Sequence, residues 1–197
     1  ARRVALADGS HVDYSQLVLL TGARPRRLSA DIGGELQGVL VMRSLADADA
    51  MAPYLAAGQR LLVVGGGYIG LEAAAVASGK GLQVTLLEAA PRILQRVATA
   101  DFCRALHRSH GVDIPEVVPL RRLLAEGGRV CGAELGDGRR IEADVVLVGI
   151  GVQANVELAE RAGLAIDNGI AVDEFCRSSD PAILAAGDCC SFPFRGR

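Results

Sequence analysis

The chain has 197 residues, of which 50% are hydrophobic and 22% charged, and its formal net charge is −2. This composition is typical of a folded globular chain and excludes a disordered polymer. The slightly acidic balance argues against nucleic acid as the main ligand, and no apolar run is long enough to cross a bilayer.

The first part of the chain combines short strands with a polar stretch. Val4–Ala7 and His11–Tyr14 flank the turn pair Asp8-Gly9 and predict a β-hairpin. Leu17–Leu20 is a continuous apolar run, which is typical of a strand buried on both faces. Residues 22–38 are rich in Arg, Pro and Gly and are the best candidate for a linker.

From about residue 44 the pattern alternates between helix and strand. Buried strands are predicted at 61–64, 84–87 and 144–148, and helices at 47–55, 68–78, 101–110 and after Asn155, which is expected to cap its helix. Residues 117–135 alternate with a period near two and predict a β-hairpin or meander. We therefore expect an α/β fold in which a parallel sheet carries helices on both faces.

The most informative segment is the glycine-rich turn that follows the strand at 61–64. Gly65, Gly67 and Gly70 form a G-x-G-x-x-G pattern between a buried strand and a helix, which is the context in which this pattern binds a dinucleotide. Gly65 permits the tight turn, Gly67 lets a pyrophosphate approach the backbone, and Gly70 permits close packing of the helix. The exposed N–H groups and the helix dipole would then face the phosphates.

Glu88 stands at the end of the next predicted strand and indicates which dinucleotide is bound. A carboxylate at this position accepts hydrogen bonds from the ribose 2′-hydroxyl and repels a 2′-phosphate. We therefore predict NAD(H) rather than NADP(H). The alternative is a tight strand–helix turn followed by an incidental surface glutamate.

Further segments resemble one family, in the same order along the chain. Leu17–Pro25, Gly149–Asn155 and Pro181–Cys189 are similar to signature segments of the pyridine nucleotide-disulfide oxidoreductases. Gly66–Glu72 and Val172–Glu174 resemble the NADH-dependent ferredoxin reductases of the putidaredoxin and rubredoxin reductase type. The resemblance implies a Rossmann-like FAD/NAD(P)-binding fold in which an NAD-binding domain is inserted into an FAD-binding domain.

This resemblance implies a domain organisation. Residues 45–150 correspond to the NAD-binding domain, and residues 1–44 and 151–197 correspond to parts of the FAD-binding domain. The family's first FAD fingerprint and its C-terminal interface domain have no counterpart in the sequence, so the chain is expected to be an internal piece of a longer reductase. Such a piece alone is expected to bind NADH weakly, to retain no FAD and to be inactive.

The resemblance also implies roles for individual residues. The residues implied to bind NAD(H) are Gly65, Gly67, Tyr68, Ile69, Gly70, Glu72, Glu88, Ile150 and Gly151. The residues implied to bind FAD are Thr21, Gly22, Arg24 and Asp188. Among them, Glu72 would orient the nicotinamide amide, and no side chain is implied as a catalytic acid or base.

The implied activity is an FAD-dependent transfer of a hydride from NADH to the flavin, and then of single electrons to a ferredoxin- or rubredoxin-type iron–sulfur protein. Two alternatives remain open: a flavoprotein NADH oxidase or disulfide reductase that uses an upstream cysteine, and an isolated, inactive NAD-binding module. One group of arginines is either a basic patch that steers an acidic ferredoxin or a set of scattered solvated charges: Arg24, Arg26, Arg27, Arg121, Arg122, Arg139 and Arg140.

The cysteines and histidines suggest no further chemistry. Five scattered cysteines without a C-x-x-C pair disfavour a disulfide framework and indicate a reducing cytoplasm. Cys189-Cys190 is better explained as small buried thiols than as a redox pair, because adjacent cysteines close only a strained ring. His107 and His110 have no third ligand at a suitable spacing, so a solvated helix face is favoured and no metal is expected.

Overall fold

The computed structural model describes residues 2–95, 98–99, 101–102 and 112–194. The chain divides into a central unit, Pro25–Gly151, and a flanking unit that combines Ala1–Arg24 with Val152–Arg197. His107, His110 and most of the helix predicted at 101–110 lie outside the described residues.

The helices and strands of the described ranges alternate much as the sequence predicts. In chain order the strands are β1 (Arg3–Ala5), β2 (His11–Asp13), β3 (Leu17–Leu19), β4 (Ala23–Pro25), β5 (Val39–Leu40), β6 (Arg60–Val64), β7 (Gln83–Leu87), β8 (Leu120–Glu126), β9 (Arg129–Leu135), β10 (Arg140–Glu142), β11 (Val145–Val148), β12 (Val152–Ala154), β13 (Ile170–Ala171), β14 (Ile183–Ala185) and β15 (Cys190–Ser191). The α-helices are α1 (Leu45–Met51), α2 (Tyr68–Gly79) and α3 (Glu157–Arg161), and 3₁₀ turns cover Ala30–Ile32 and Ala52–Tyr54.

The central unit is built on a parallel sheet. Its strands lie side by side in the order β5, β11, β6 and β7 within the described part of the chain, and every neighbouring pair is parallel. Leu61, Leu62, Val145 and Val146 are almost wholly buried because both faces of the sheet are covered. The predicted α/β class and its continuous apolar strands are confirmed.

The two faces of this sheet are covered by different elements. On one face, Val63 and Leu86 join Ala74 of α2 in a single apolar cluster. On the other face, Leu62 joins Ala133 of the meander that β8, β9 and β10 form by antiparallel pairing. The prediction of helices on both faces was wrong in this respect for the described residues. The meander covers the second face because its own apolar side can pack against a sheet as a helix would.

The flanking unit consists of short paired strands. β1 and β2 form the predicted antiparallel hairpin, and β3 pairs in parallel with β14, so that Leu19 lies opposite Ala185. Leu19 is buried, but Val18 is 54% exposed and Leu20 is 69% exposed. The expectation of burial on both faces was therefore wrong for this strand, because only one face of the β3–β14 pair contacts the apolar cluster of the unit within the described ranges.

Residues 22–38, the predicted linker, contain β4 and a 3₁₀ turn. The following residues belong to the central unit, where Val39 of β5 pairs with Val146 of β11. The assignment of residues 1–44, 45–150 and 151–197 to FAD- and NAD-binding domains stays a prediction. None of the helices in the described part of the chain has the length and apolar character that a membrane span requires.

An ion pair joins the amino ends of β6 and β11. Arg60 donates from Nε and Nη2 to the Asp144 carboxylate at 3.0 and 2.6 Å, and its backbone N–H donates to the same carboxylate at 2.9 Å. These hydrogen bonds, led by those from the guanidinium, hold the pKa of Asp144 below its usual value. The pair therefore fixes the two central strands at the end of the sheet where they begin.

We expect Asp144→Asn to lower the free energy of unfolding by about 1.5–3 kcal/mol at neutral pH, the usual contribution of a hydrogen bond to a charged group. Folding lowers the pKa of Asp144, so its contribution is present above the unfolded pKa and is lost as the pH falls through the folded one. The difference between wild type and variant should shrink below about pH 4.

Urea unfolding at neutral pH and at about pH 3 measures this difference. Asp137→Asn is the control, because the Asp137–Arg139 pair lies within an exposed turn and joins no two strands of the parallel sheet. Its effect on unfolding should be much smaller. An Asp144→Asn penalty of equal size at both pH values would contradict the assignment of the stabilisation to the ion pair.

Candidate nucleotide-binding site

A cleft opens where β6, β7 and β11 end. Its volume is about 750 Å³, and its walls include residues 64–68, 87–90 and 149–151. Each of these segments follows or completes a strand of the parallel sheet at its carboxyl end. This edge is where open α/β sheets bind their ligands.

The turn between β6 and α2 requires glycine at two positions. Gly65 has φ of +108°, and a Cβ there would lie 2.4 Å from the carbonyl oxygen of Gly149. A Cβ at Gly70 would lie 2.1 Å from the carbonyl oxygen of Gly65. Real Cβ atoms do not approach backbone so closely, so these glycines let the start of α2 pack directly against the end of β6.

Gly67 differs from these two glycines because the fold itself does not require it. Its φ is −82°, which any residue adopts, and an added Cβ would meet no atom within 4 Å. Gly67 stands immediately before α2 and provides no side-chain cap. The first N–H groups of α2 lack partners within the helix, and a bare backbone at Gly67 leaves them accessible.

Glu88 lies against the glycine turn. Its Oε2 accepts a hydrogen bond from the N–H of Gly66 at 2.8 Å, and its Oε1 accepts one from the N–H of Ala90 at 2.7 Å. The half-buried carboxylate is thus held in a fixed orientation in the wall of the cleft.

Gly66 is a site residue that the sequence analysis missed. A Cβ at Gly66 would lie 2.6 Å from Cγ2 of Ile93 and 2.9 Å from Oε2 of Glu88. A side chain here would therefore displace the carboxylate that the Gly66 N–H binds. The only signal in the sequence is that Gly66 completes an uninterrupted run of three glycines.

The remaining residues predicted to bind NAD(H) separate into two groups. Tyr68, Ile150 and Gly151 line the cleft together with Gly65, Gly67 and Glu88. Glu72 instead lines a neighbouring, mainly apolar pocket of about 340 Å³, which also includes Tyr68 and Leu94. Ile69 is 42% exposed and is not among the residues that line either pocket.

In the flanking unit, Asn155 connects the residues predicted to lie near the flavin. Its side-chain amide donates to the carbonyl oxygen of Thr21 at 2.8 Å, and its N–H donates to the carbonyl oxygen of Gly22 at 2.9 Å. Thr21 Oγ1 donates to the carbonyl oxygen of Asn155 at 2.6 Å. Arg24 donates to Asn155 Oδ1 at 2.7 Å and pairs with Glu157 at 2.6 Å.

The prediction that Asn155 caps a helix was therefore wrong. α3 begins at Glu157 after Val156, which makes no side-chain cap. The Asn155 side chain is engaged with Thr21 and Arg24 instead. An N-cap would need the same amide oxygen to accept from the start of α3, so the long-range partners take precedence over the local one.

Asp188 follows β14, as Thr21 follows β3. Because these strands are parallel and in register, both residues follow carboxyl ends at the same edge of the pair. Asp188 is exposed, and the preceding Gly187 has φ of +80° with no atom within 4 Å of an added Cβ. The space around this edge is compatible with a bound ligand.

The two cysteines after Asp188 are directed at backbone carbonyls. Cys189 is fully buried, and its Sγ donates to the carbonyl oxygen of Ala186 at 3.2 Å. Cys190 Sγ donates to the carbonyl oxygen of Gly187 at 3.2 Å, and burial raises the pKa of the Cys190 thiol. These features are those of structural thiols, which agrees with the preferred interpretation.

Three of the paired arginines converge on one buried carboxylate. Arg121 and Arg122 donate to Glu134 at 2.7 and 2.8 Å, and Arg140 lies 3.9 Å from it. The hydrogen bond from Arg122 is the main cause that lowers the pKa of Glu134. Arg139 pairs separately with Asp137. Four arginines of the meander are thus engaged in local ion pairs, which neither interpretation of the sequence foresaw.

Comparison with known proteins agrees with this geometry. The profile of the pyridine nucleotide-disulphide oxidoreductases matches residues 1–196. Putidaredoxin reductase CamA of Pseudomonas putida is 43% identical in an alignment of 208 positions that covers 97% of this chain and 47% of the relative. Rubredoxin-NAD(+) reductase of Pseudomonas putida is 42% identical over 189 residues, which cover 94% of this chain and 49% of the relative.

A solved structure is similar over the same extent. The ferredoxin reductase from Rhodopseudomonas palustris superposes with a TM-score of 0.93 and 40% identity, covering 98% of this chain and 48% of that one. The chain thus spans about half the length of the relatives it matches. The match over residues 1–196, together with a glycine turn of the geometry described above, shows that the chain belongs to the pyridine nucleotide-disulphide oxidoreductase family.

Proposed function

We propose that this chain is the NAD(H)-binding part, with portions of the FAD-binding part, of a reductase that passes electrons from NADH to a ferredoxin- or rubredoxin-type iron–sulfur protein. The proposal rests on the glycine turn, where Gly67 leaves open space beside the start of α2 and the Gly66 N–H binds the Glu88 carboxylate. The names of the similar reductases support the reaction class and the partner. In this proposal residues 45–150 are the NAD-binding domain, and residues 1–44 and 151–197 belong to the FAD-binding domain.

The cleft fits the diphosphate of a dinucleotide. Gly67 leaves room beside the start of α2, where free N–H groups and the helix dipole attract an anion. The cleft volume of about 750 Å³ lies within the range of small-molecule sites. The diphosphate would therefore rest on backbone amides and need no cationic side chain.

The adenosine ribose would meet Glu88. Two backbone N–H groups hold its carboxylate in place, so it can accept hydrogen bonds from the ribose hydroxyls without further reorganisation. A 2′-phosphate would face the same fixed negative charge. This electrostatic difference favours NADH over NADPH.

The nicotinamide half would extend along the opposite side of the turn. Ile150 and Gly151 line the cleft there and would lie along the nucleotide. Glu72 is one helical turn beyond Tyr68 and lines a pocket with it, which supports a role in orienting the nicotinamide amide. Ile69 stands beside Tyr68 at the start of α2 and would flank the nucleotide.

The flanking unit would contribute to the FAD site. Thr21 and Gly22 after β3, and Asp188 after β14, follow carboxyl ends of parallel strands. Asn155 and Glu157 hold the guanidinium of Arg24 in one orientation. FAD would accept two electrons from NADH and pass them on one at a time. Overall, one NADH and two oxidised iron–sulfur clusters of the acceptor would yield NAD⁺, two reduced clusters and one proton. This chain would supply binding and orientation.

We also place the protein in the cytoplasm. Cys131, Cys176, Cys189 and Cys190 are free thiols in the described part of the chain. Free thiols persist in a reducing compartment, which also holds the NADH that the proposed reaction consumes.

The proposed function can be tested at two levels. Titration calorimetry of the 197-residue chain should show weak binding of NADH and weaker binding of NADPH. The visible absorbance spectrum of the purified chain should show no retained flavin. The protein that contains this chain at the full length of its relatives should reduce a [2Fe–2S] ferredoxin with NADH under anaerobic conditions, measured by the loss of the ferredoxin's visible absorbance. Absence of NADH binding to both proteins would contradict the proposal.

Gly67 and Gly70 should respond differently to alanine. Gly67→Ala should change the free energy of unfolding by less than about 1 kcal/mol, because its Cβ enters open space. The same variant should weaken NADH binding roughly tenfold, because the new methyl group stands where the diphosphate approaches. Gly70→Ala should destabilise the fold by about 1–3 kcal/mol or more, because its Cβ collides with backbone.

Thermal unfolding and calorimetry with NADH separate the two effects. Gly79→Ala, at the far end of α2, also meets no atom within 4 Å and serves as the control for both measurements. If Gly67→Ala bound NADH as tightly as this control, the diphosphate would have to lie elsewhere.

Glu88→Ala should weaken NADH binding by about 1–3 kcal/mol, the usual cost of removing a polar contact. Binding of NADPH should stay the same or strengthen, because the charge that repels its 2′-phosphate is removed, so the preference for NADH should fall. Glu88→Gln keeps acceptor capacity and removes the charge, so it should recover part of the NADH affinity while still admitting NADPH. Calorimetry with both nucleotides measures the change, and unchanged affinities for both would remove Glu88 from the site.

A further inference from the structure

Glu116 lies beside Glu88 on a segment that runs parallel to the end of β7. Parallel bridges pair Asp113 with Thr85 and Glu116 with Glu88. The N–H of Glu88 donates to the carbonyl oxygen of Pro115 at 3.2 Å. Because directly paired residues project on the same side of a sheet, the carboxylates of Glu88 and Glu116 share one side.

The Glu116 carboxylate binds the loop 89–95, which forms part of the cleft wall. Its Oε1 accepts the N–H of Ile93 at 2.8 Å. The next N–H, of Leu94, donates to the carbonyl oxygen of Gly66 at 3.0 Å. Cγ2 of Ile93 is the atom that a Cβ at Gly66 would meet first. Glu116 therefore anchors the loop where it touches the glycine turn.

Two carboxylates thus hold the loop 89–95 near its two ends. Glu88 accepts the N–H of Ala90, and Glu116 accepts the N–H of Ile93. Glu88 also accepts the N–H of Gly66, whose carbonyl oxygen accepts from Leu94. These hydrogen bonds connect the glycine turn, the loop and both glutamates in a closed ring. Loss of the Glu116 carboxylate would therefore alter the position of the Glu88 carboxylate.

The residues that follow both members of the Ile93–Glu116 hydrogen bond are held in a conformation that side chains rarely adopt. Leu94 has φ of +48° and Val117 has φ of +63°. Val117 is β-branched and 65% exposed, so burial does not stabilise it there. Such conformations persist only where surrounding contacts determine them, and they concentrate at ligand-binding segments.

We propose that Glu116 is a positioning residue of the dinucleotide site, which fixes the loop 89–95 through Ile93 and thereby keeps the Glu88 carboxylate directed at the adenosine ribose. This inference rests on the proposed NADH-binding function. It adds to that function a second glutamate, which acts on nucleotide preference without touching the nucleotide.

The test compares two substitutions by calorimetry with NADH and NADPH. Glu116→Ala should lower NADH affinity about fivefold and reduce the ratio of NADH to NADPH affinity by a similar factor, because Glu88 loses its fixed orientation. Glu116→Gln retains an oxygen that accepts from Ile93, so both values should stay within about twofold of wild type. Glu126→Ala, an exposed change at the end of β8, is the control and should leave both values unchanged.

A double-mutant cycle shows whether Glu116 acts through Glu88. In a Glu88→Gln background, Glu116→Ala should change the affinity ratio by less than about twofold, because the group it orients is already altered. A purely structural role would lower the melting temperature of Glu116→Ala and leave the affinity ratio at its wild-type value. That result, or equal behaviour of Glu116→Gln and Glu116→Ala, would overturn the inference.

The outcomes for the proposed function and for this inference are distinguishable. Wild-type protein that binds no NADH refutes the proposed function and this inference with it. Wild-type protein that binds NADH while Glu116→Ala keeps the wild-type ratio refutes the role of Glu116 alone. Amide exchange at Ile93 supplies a readout independent of nucleotide: it should be faster in Glu116→Ala than in wild type or Glu116→Gln, and equal exchange in all three would also overturn the inference.

Discussion

The close backbone contact between the end of β6 and the start of α2 is the constraint on which the cleft depends. Gly65 and Gly70 approach each other, and Gly65 approaches Gly149, at distances that exclude a Cβ. The strand, the helix and the end of β11 therefore come into close main-chain contact. Since Gly67 has no side chain beside the start of α2, the first N–H groups of the helix remain accessible, and an anion can approach them.

The ion pair that joins the central strands lies at the opposite end of the parallel sheet from the cleft. The parallel sheet of the central unit is buried between helices on one side and the meander on the other, and Arg60 and Asp144 join β6 and β11 at their amino ends. The cleft occupies the carboxyl ends of the same strands.

Backbone N–H groups and glutamates define the chemistry of the cleft. Glu88 and Glu116 together accept N–H groups from the glycine turn and from both ends of the loop 89–95. The Glu88 carboxylate is therefore held in place in the cleft wall, while the turn that would receive the diphosphate offers donors. This division of charge matches a dinucleotide whose ribose carries free hydroxyls.

Local patterns in the sequence determined the buried strands near 61–64, 84–87 and 144–148, the meander, and the glycine turn with Glu88, because periodicity and short motifs record burial and backbone demands within a few residues. The tertiary structure alone decided that the meander covers the second face of the sheet and that Asn155 binds Thr21 instead of capping α3. It also decided that Ile93 and Glu88 lie against Gly66, where they leave no room for a side chain. It also decided that Glu116 binds the N–H of Ile93. These contacts join residues far apart in the chain, and which distant groups meet depends on strand order and register, which no local pattern encodes.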